Sequence, residues 1–541
     1  MPSRLMPSTC AGIRACVALA LTANAAVAIA QYAPSGVQGP PATGLEAAPG
    51  SPTGAQAGRG RNWLLVPSID ALFTFTDNVN LTTTDRKADF VTQLTPAIRF
   101  SEKTAHSKLE ASIQAPILLY ARTGAQNNTV QPIADVRGVA ELVERRFFVE
   151  TALNVSQQYF SPFGPQPADL ASATSNRYTA QSYRVSPVLK GDGSGGLSYQ
   201  VRDDNIWADQ SNTSFAAQRS YTNELNGKLT QEARPVGWQL EYDRADTKFT
   251  DVAALRSEIE RASALFRQDT TLEWSLDAGY ETNNYSGPSN SAAIYGIGVR
   301  WRPTDRTTAE ANYEHRFFGG SYHLTLDHRT PLTVWSLRAS RDITTYPQQL
   351  AALTAGEDVS GLLNRLFASR LTDPAQRQTF VDQFIRERGL PTVLAGPLAL
   401  FSEQVTLQQI VEARAGLIGA RNSVFGTVYR SRSEAVSNSE TVLSDLLLAQ
   451  QNNTQTGGNV VWTQRLTPLY TLSTRLDYTR TVENGAGADR ARQLVLTTSV
   501  SAPLSPFTRA MIGARWQRLW SNLGNDYREA AAFVGLNHVF R

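Results

Sequence analysis

The run Gly191-Asp192-Gly193-Ser194-Gly195-Gly196 has the look of a nucleophilic-serine loop. Such a serine needs a histidine base and a carboxylate that orients the histidine, and no His/Asp context of that kind accompanies it. The run also lacks the lysine of a phosphate loop. A glycine-rich hairpin turn accounts for it. The histidines are His106, His315, His323, His328 and His538; none has H-E-x-x-H spacing, and the only cysteines are Cys10 and Cys16. A zinc-type cluster is therefore not expected. His323 and His328 are an odd number of residues apart and fall on opposite faces of a strand. Asp77, Asp85 and Asp89 offer hard oxygens to a cation but match no known loop spacing, so turn formation is the better account. The carboxylate pairs Glu273/Asp277 and Glu310/Glu314 have Arg300, Arg302, Arg316 and Arg338 for neighbours. Acid–base catalysis needs one carboxyl kept neutral in an apolar pocket. A row of mixed charges instead makes a wet surface that tunes what passes along it. The expectation is no enzyme, with no catalytic, cofactor or metal site.

What must position these charges is a set of strands. From Trp63 onward, segments of roughly 9–15 residues alternate apolar and polar between turn signals, the pattern of a transmembrane barrel. In Val236–Asp243, for instance, Val236, Trp238, Leu240 and Tyr242 oppose Gly237, Gln239, Glu241 and Asp243. About 22 such segments fit (range roughly 18–24), an even count as a single-chain outer-membrane barrel requires. Their connections form two series. Short turns such as Glu144–Arg146, Glu232–Pro235 and Gly419–Ala420 alternate with longer polar loops such as Asp77–Ala88, Phe160–Tyr178 and Glu434–Thr454. That asymmetry is expected of a barrel with both termini in the periplasm. Trp63, Tyr120, Tyr159, Trp207, Tyr280, Trp301, Tyr470 and Trp520 cluster near strand ends, where amphipathic rings suit the headgroup level.

Composition agrees. Mean hydropathy is −0.28, which a barrel tolerates because only alternate residues meet lipid. Arg4 and Arg14 precede an apolar run from Ala15 to Ala30 that ends Ala28-Ile29-Ala30, an A-x-A pattern. Residues 1–30 read as a secretory signal cleaved after Ala30. Without Arg4 and Arg14, 49 of the 51 Lys+Arg remain against 48 Asp+Glu, and no nucleic-acid partner is implied. Residues 31–62, rich in Pro, Gly and Ala, read as a flexible periplasmic lead. Residues 63–541 then form the barrel.

The last stretch, Glu529–Arg541, places Ala532, Val534, Leu536, His538 and Phe540 on one face. Val534, Leu536 and Phe540 resemble the aromatic-ended closing strand that signals barrel assembly, with His538 and Arg541 as departures from that pattern.

One connection differs. In residues 346–403, Leu362, Leu363, Leu366 and Phe367 recur at helical spacing, and Asp373-Pro374 reads as an N-cap followed by proline at the first helical position. Phe380, Val381, Phe384 and Ile385 form an apolar stripe, Arg386 and Arg388 sit in the last turn, and Gly389 with Pro391 ends the helix. This insert either caps the barrel rim, the favoured expectation, or serves as a constriction folded into the lumen or as a docking site, with Phe380, Phe384, Arg386 and Arg388 as its candidate contact residues.

The block Phe75-Thr76-Asp77-Asn78-Val79-Asn80-Leu81, with Asp89-Phe90-Val91 and Thr95-Pro96, resembles the opening of a family of uncharacterised proteins associated with PEP-CTERM/exosortase systems. The stretches Asp373–Arg377, Val381–Phe384, Arg388–Pro391 and Gly419–Asn422 are similar to the same family. The resemblance implies an outer-membrane β-barrel encoded beside exopolysaccharide and protein-sorting genes, and brings no catalytic residues. The combined expectation is an all-β transmembrane antiparallel barrel with a helical insertion, located in the Gram-negative outer membrane. It would act as a channel or export component for a polar substrate such as exopolysaccharide. The alternative is a non-transporting scaffold for matrix or sorted proteins. Outer-membrane lipid, lipopolysaccharide, the barrel assembly machinery and exopolysaccharide are its expected partners.

Overall fold

Each strand hydrogen-bonds antiparallel to its neighbours in the chain, and the last returns to the first. The computed structural model describes residues 62–211, 218–250, 253–285, 290–353, 359–388, 404–436, 452–485 and 488–540, together with 390, 394 and 396–398. Ala28, Ala30, Arg541, Gly389 and Pro391 lie outside the described residues. The strands are β1 (Trp63–Thr76), β2 (Asp89–Lys103), β3 (Ser107–Gln114, resuming at Ile117–Tyr120), β4 (Thr129–Val130, resuming at Ile133–Val143), β5 (Phe147–Tyr159), β6 (Arg177–Asp192), β7 (Leu197–Ser211), β8 (Gln218–Gln231), β9 (Val236–Phe249), β10 (Leu255–Arg267) and β11 (Leu272–Asn283). They continue as β12 (Asn290–Thr304), β13 (Thr307–Arg316), β14 (Gly319–Arg329), β15 (Thr333–Thr344), β16 (Thr406–Ile418), β17 (Asn422–Ala435), β18 (Asn453–Arg465), β19 (Thr471–Glu483), β20 (Arg490–Pro503), β21 (Thr508–Ser521) and β22 (Tyr527–Val539). The 24 hydrogen-bonded segments make 22 strands, because β3 and β4 are each interrupted once. Pro116 and Pro132 sit at those interruptions, where a residue without an N–H cannot continue the ladder.

The closing register runs from Ser68↔Val539 to Thr76↔Ala531. Asn537 Nδ2 donates to Asp70 Oδ1 across this seam at 2.6 Å, and Asp77 Oδ1 accepts from the Ala530 N–H at 2.8 Å. Closure leaves the sheet without a free edge.

Side chains alternate as expected. On β22, Tyr527, Glu529, Ala531, Phe533, Asn537 and Val539 are buried inward, while Val534, Leu536 and Phe540 point out. One exterior girdle at the short-turn end includes Trp63, Trp238, Trp274, Trp301, Trp335, Trp462 and Tyr470; another at the loop end includes Phe75, Phe90, Trp207, Tyr280 and Tyr478. Tyr120 and Tyr159 depart from expectation. Both are buried inside, Tyr120 against Val79, Val91 and Leu170, and Tyr159 with its hydroxyl donating to the Pro167 carbonyl at 3.0 Å. They hold infolded loops rather than facing lipid.

The Ser194–Gly196 segment is a tight turn between β6 and β7. Gly195 and Gly196 have φ of 75° and 87°, a region that side chains disfavour.

Candidate functional site in the lumen

Inward polar residues give the interior its character, and two infolded segments fill much of it. The first is the insert between β15 and β16. Besides the short α1 (Gly124–Asn127) beside β3, the helices are α2 (Tyr346–Leu353), α3 (Val359–Phe367) and α4 (Pro374–Arg388). α2 leaves the loop end of β15 and packs against β5, β6, β7 and β8. The Tyr346 and Tyr178 hydroxyls are hydrogen-bonded at 2.7 Å, and Gln348 Nε2 donates to Glu224 Oε1 at 2.7 Å. Those strands lie far from β15 around the sheet, so α2 crosses the lumen.

α3 then descends to the opposite end. Val359, Leu362, Leu363, Leu366 and Phe367 pack with Val381 and Ile385 of α4 onto Val334, Ile418 and Phe425 of the inner wall. These three wall residues lie beside the short turns of β15, β16 and β17. Arg329 Nη1 donates to the Arg365 carbonyl at 2.9 Å, and Arg370 Nη2 to the Pro331 carbonyl at 3.3 Å. Leu398 N, on the return path, donates to Gln455 Oε1 at 3.0 Å near the loop end of β18. The expected rim cap is therefore corrected: among the described residues α2 crosses the lumen at the loop end, and α3 and α4 pack on the inner wall at the turn end. The reason is an apolar patch on an otherwise polar inner wall, which alternation alone does not reveal. Phe384 packs on this core, Phe380 is 40% exposed, and both rings contact Phe367. Arg386 and Arg388 fall in α4, their side chains outside the described residues.

The second segment, residues 160–176, folds against β20, β21 and β22, and its Ala173 N–H donates to the Val79 carbonyl of the loop after β1 at 2.8 Å. Arg515 donates to Glu529 at 2.7 Å, to Ser172 at 3.2 Å and to Asp169, while Gln517 and Thr76 donate to the same Glu529 carboxylate at 2.7 and 2.8 Å. All of these groups are buried, and a buried carboxylate pair is tolerable only with its cation and hydrogen bonds in place. Phe163 is enclosed by Leu81, Ala491, Leu519 and Tyr527. Sequence reasoning missed this cluster. Its signal was an inward arginine on β21 diagonal to an inward acid on β22.

Between the insert and the wall of β7–β15 a cavity of about 930 Å³ remains. It extends from the turn residues Asp192–Leu197 to Gln348 and Gln349 of α2. The carboxylate pairs seen in the sequence line it, and arginines hold three of their four members, joining one pair to another rather than bridging within a pair. Arg300 reaches Glu273 at 3.2 Å and Glu310 at 2.8 Å, and Arg261 binds Glu241 and Glu314, both at 2.8 Å. Above them Arg316 joins Glu281 and Asp342 at 2.8 and 2.7 Å. Asp277 is held by neutral donors, Ser275 Oγ at 3.3 Å and Asn312 Nδ2 at 3.2 Å. Gly296 separates Asp277 from Glu314 in the register, and a Cβ there would sit 2.7 Å from Glu314 Cγ, so glycine lets that side chain lie against the wall. At the turn-end mouth, the Arg234 and Arg267 guanidiniums hold the Glu232 carboxyl below the usual glutamate range.

Other expectations resolve individually. Asp77, Asp85 and Asp89 do not converge: Asp77 braces the seam, Asp85 pairs with Lys87 at 3.9 Å, and Asp89 accepts from Arg122 N, Thr123 N and Thr123 Oγ1 at 2.9, 2.9 and 2.7 Å. Among the described residues no group of three His, Asp or Glu could hold a metal ion. His323 lines the cavity, whereas His328 is outside with Thr307 Oγ1 at 2.9 Å.

A closed antiparallel sheet with an apolar exterior, aromatic girdles and a polar interior defines a transmembrane β-barrel of the outer-membrane type. No protein-family model and no curated protein sequence matches the chain. Similar solved structures include the siderophore receptor PirA from Pseudomonas aeruginosa, at 10% identity and a TM-score of 0.42 over 88% of this chain and 80% of that one. The ferric enterobactin receptor PfeA of the same organism is similar at 8% identity and a TM-score of 0.45, over 88% and 81% of the two chains. OccK3 (OpdO), also from Pseudomonas aeruginosa, is similar at 9% identity and a TM-score of 0.32, over 88% and 96%.

Proposed function

We propose that the barrel passes a polar substrate through the space between its insert and the wall of β7–β15, and that the insert sets a closed resting state. The observation that carries this reading is the cavity itself. It is lined by ion-paired carboxylates and arginines with serine and asparagine between them, a surface suited to hydrated or hydroxyl-rich solutes rather than apolar ones. Exopolysaccharide export in a PEP-CTERM/exosortase-linked setting is the substrate assignment we favour, on the resemblance of the Thr76–Leu81 and Asp373–Pro391 stretches. The loop end then faces the cell surface and both termini the periplasm.

The test is conductance in planar bilayers, with the intact chain and with the insert loosened by Leu362→Asp/Leu363→Asp. Low, flickering conductance in the first and a large steady increase in the second is the expected result. Silence from both defeats the open-path reading. A second reading, a non-transporting scaffold, draws on the same filled lumen; it predicts silence from both, together with surface display of matrix proteins that depends on the intact chain.

A further inference from the structure

Outward arginines collect on one arc of the barrel at the loop ends of β17–β22. Arg430, Arg480, Arg492, Arg518 and Arg528 are all exposed. They share strand faces with the lipid-facing Val428, Tyr478, Leu496, Trp516 and Val534. The register joins them into one row: Arg430 opposes Thr456, Thr456 opposes Arg480, Arg480 opposes Arg492, and Arg492 opposes Trp520. Two residues along β21 from Trp520, Arg518 opposes Arg528. Six strands at about 4.8 Å spacing make a row about 24 Å long.

Like charges directly opposite one another destabilise a sheet. On the exterior of β9 and β10, by contrast, arginines are neutralised: Arg244 pairs with Asp246 at 2.8 Å and Glu258 at 3.3 Å, and Arg256 with Asp246 at 2.5 Å. In the β17–β22 row no ion pair joins any of the five arginines to a carboxylate among the described residues. Glu434 is taken by Arg432, and the Asp526 carboxylate accepts from the Ser521 N–H. The Arg518 guanidinium lies 4.6 Å over the Trp520 ring, an arrangement that keeps a cation at the level where aromatic residues meet headgroups.

We propose that this row is a docking surface for the phosphate groups of a phosphorylated glycolipid, lipopolysaccharide, in the leaflet around the loop end. Guanidinium forks bind phosphate oxygens in bidentate fashion, which would relieve the facing-arginine repulsion. The proposal rests on the loop end facing the cell surface but not on transport, so lipid binding and conductance can fail separately.

The test uses the full chain in phosphatidylcholine nanodiscs titrated with diphosphorylated and with dephosphorylated lipid A. The wild type is expected to prefer the diphosphorylated form at least tenfold. Each arginine near an anionic lipid contributes about fivefold, so Arg480→Gln/Arg492→Gln/Arg518→Gln should abolish the preference while conductance and heat-modifiable mobility stay unchanged. Arg244→Gln, removing a neutralised arginine, should retain it. If the triple variant does not fold, Arg480→Gln and Arg518→Gln singly should each lower the preference several-fold. Equal binding of both lipids by the wild type, or an undiminished preference in the arginine variants, overturns the proposal. So does displacement of the lipid by millimolar inorganic phosphate, which would make the row a general phosphate site.

Discussion

Arg515 shows how one side chain organises the interior of this barrel. It holds Glu529 on the neighbouring strand and Asp169 on the infolded segment, with Ser172 completing the set. Arg515→Met would leave two buried carboxylates without their cation, a loss of about 3–5 kcal/mol. We expect residues 160–176 to become protease-sensitive and the detergent-solubilised barrel to unfold at lower denaturant. Unchanged protease resistance would refute that role. On the cavity wall no arginine bridges Asp277 among the described residues, and an asparagine carbonyl can accept the same two hydrogen bonds, so Asp277→Asn should cost no more than about 1 kcal/mol yet lower cation preference in reversal-potential measurements. The inward location of Asp277 followed directly from alternation. The Arg515 cluster did not, because its third member comes from a connection whose path carries no period.

At the scale of elements, the insert and the last strand make separate demands. Val334 is an apolar wall residue, 1% exposed, beneath α3. A carboxylate there would face apolar side chains without a partner, so Val334→Asp should release the insert while leaving the exterior unaltered. A several-fold rise in conductance, with new cleavage between residues 346 and 403, is the expected outcome. For β22, Phe540→Asp should prevent assembly, whereas His538→Tyr should be tolerated, because His538 is exposed at the turn end beside Thr508. Heat-modifiable migration reads both. The strands, their even number and the helices of the insert were legible because each has a period and marked ends. The destination of the insert was not. Val334, Ile418 and Phe425 are scattered apolar residues on three strands, and their convergence exists only once register is set.

For the molecule as a whole, charge balance along the cavity would set the selectivity of the proposed path. Asp192, Glu232, Glu241, Glu273, Asp277, Glu310, Glu314 and Asp342 face Lys228, Arg261, Arg267 and Arg300, eight carboxylates against four Lys/Arg. The surplus of four should favour potassium over chloride, increasingly so at low salt, where screening weakens. An anion preference would count against this cavity as the conducting path. The closing seam has a consequence of a different kind. Its strands lie at opposite ends of the chain, and the Asp70–Asn537 contact spans 467 residues. Contacts of such separation are the slowest a chain can make. The barrel must therefore complete its fold by sealing β1 to β22 after the intervening hairpins have formed. Hydrogen exchange should find that seam, rather than the insert's apolar core, to be the first place where the finished protein opens.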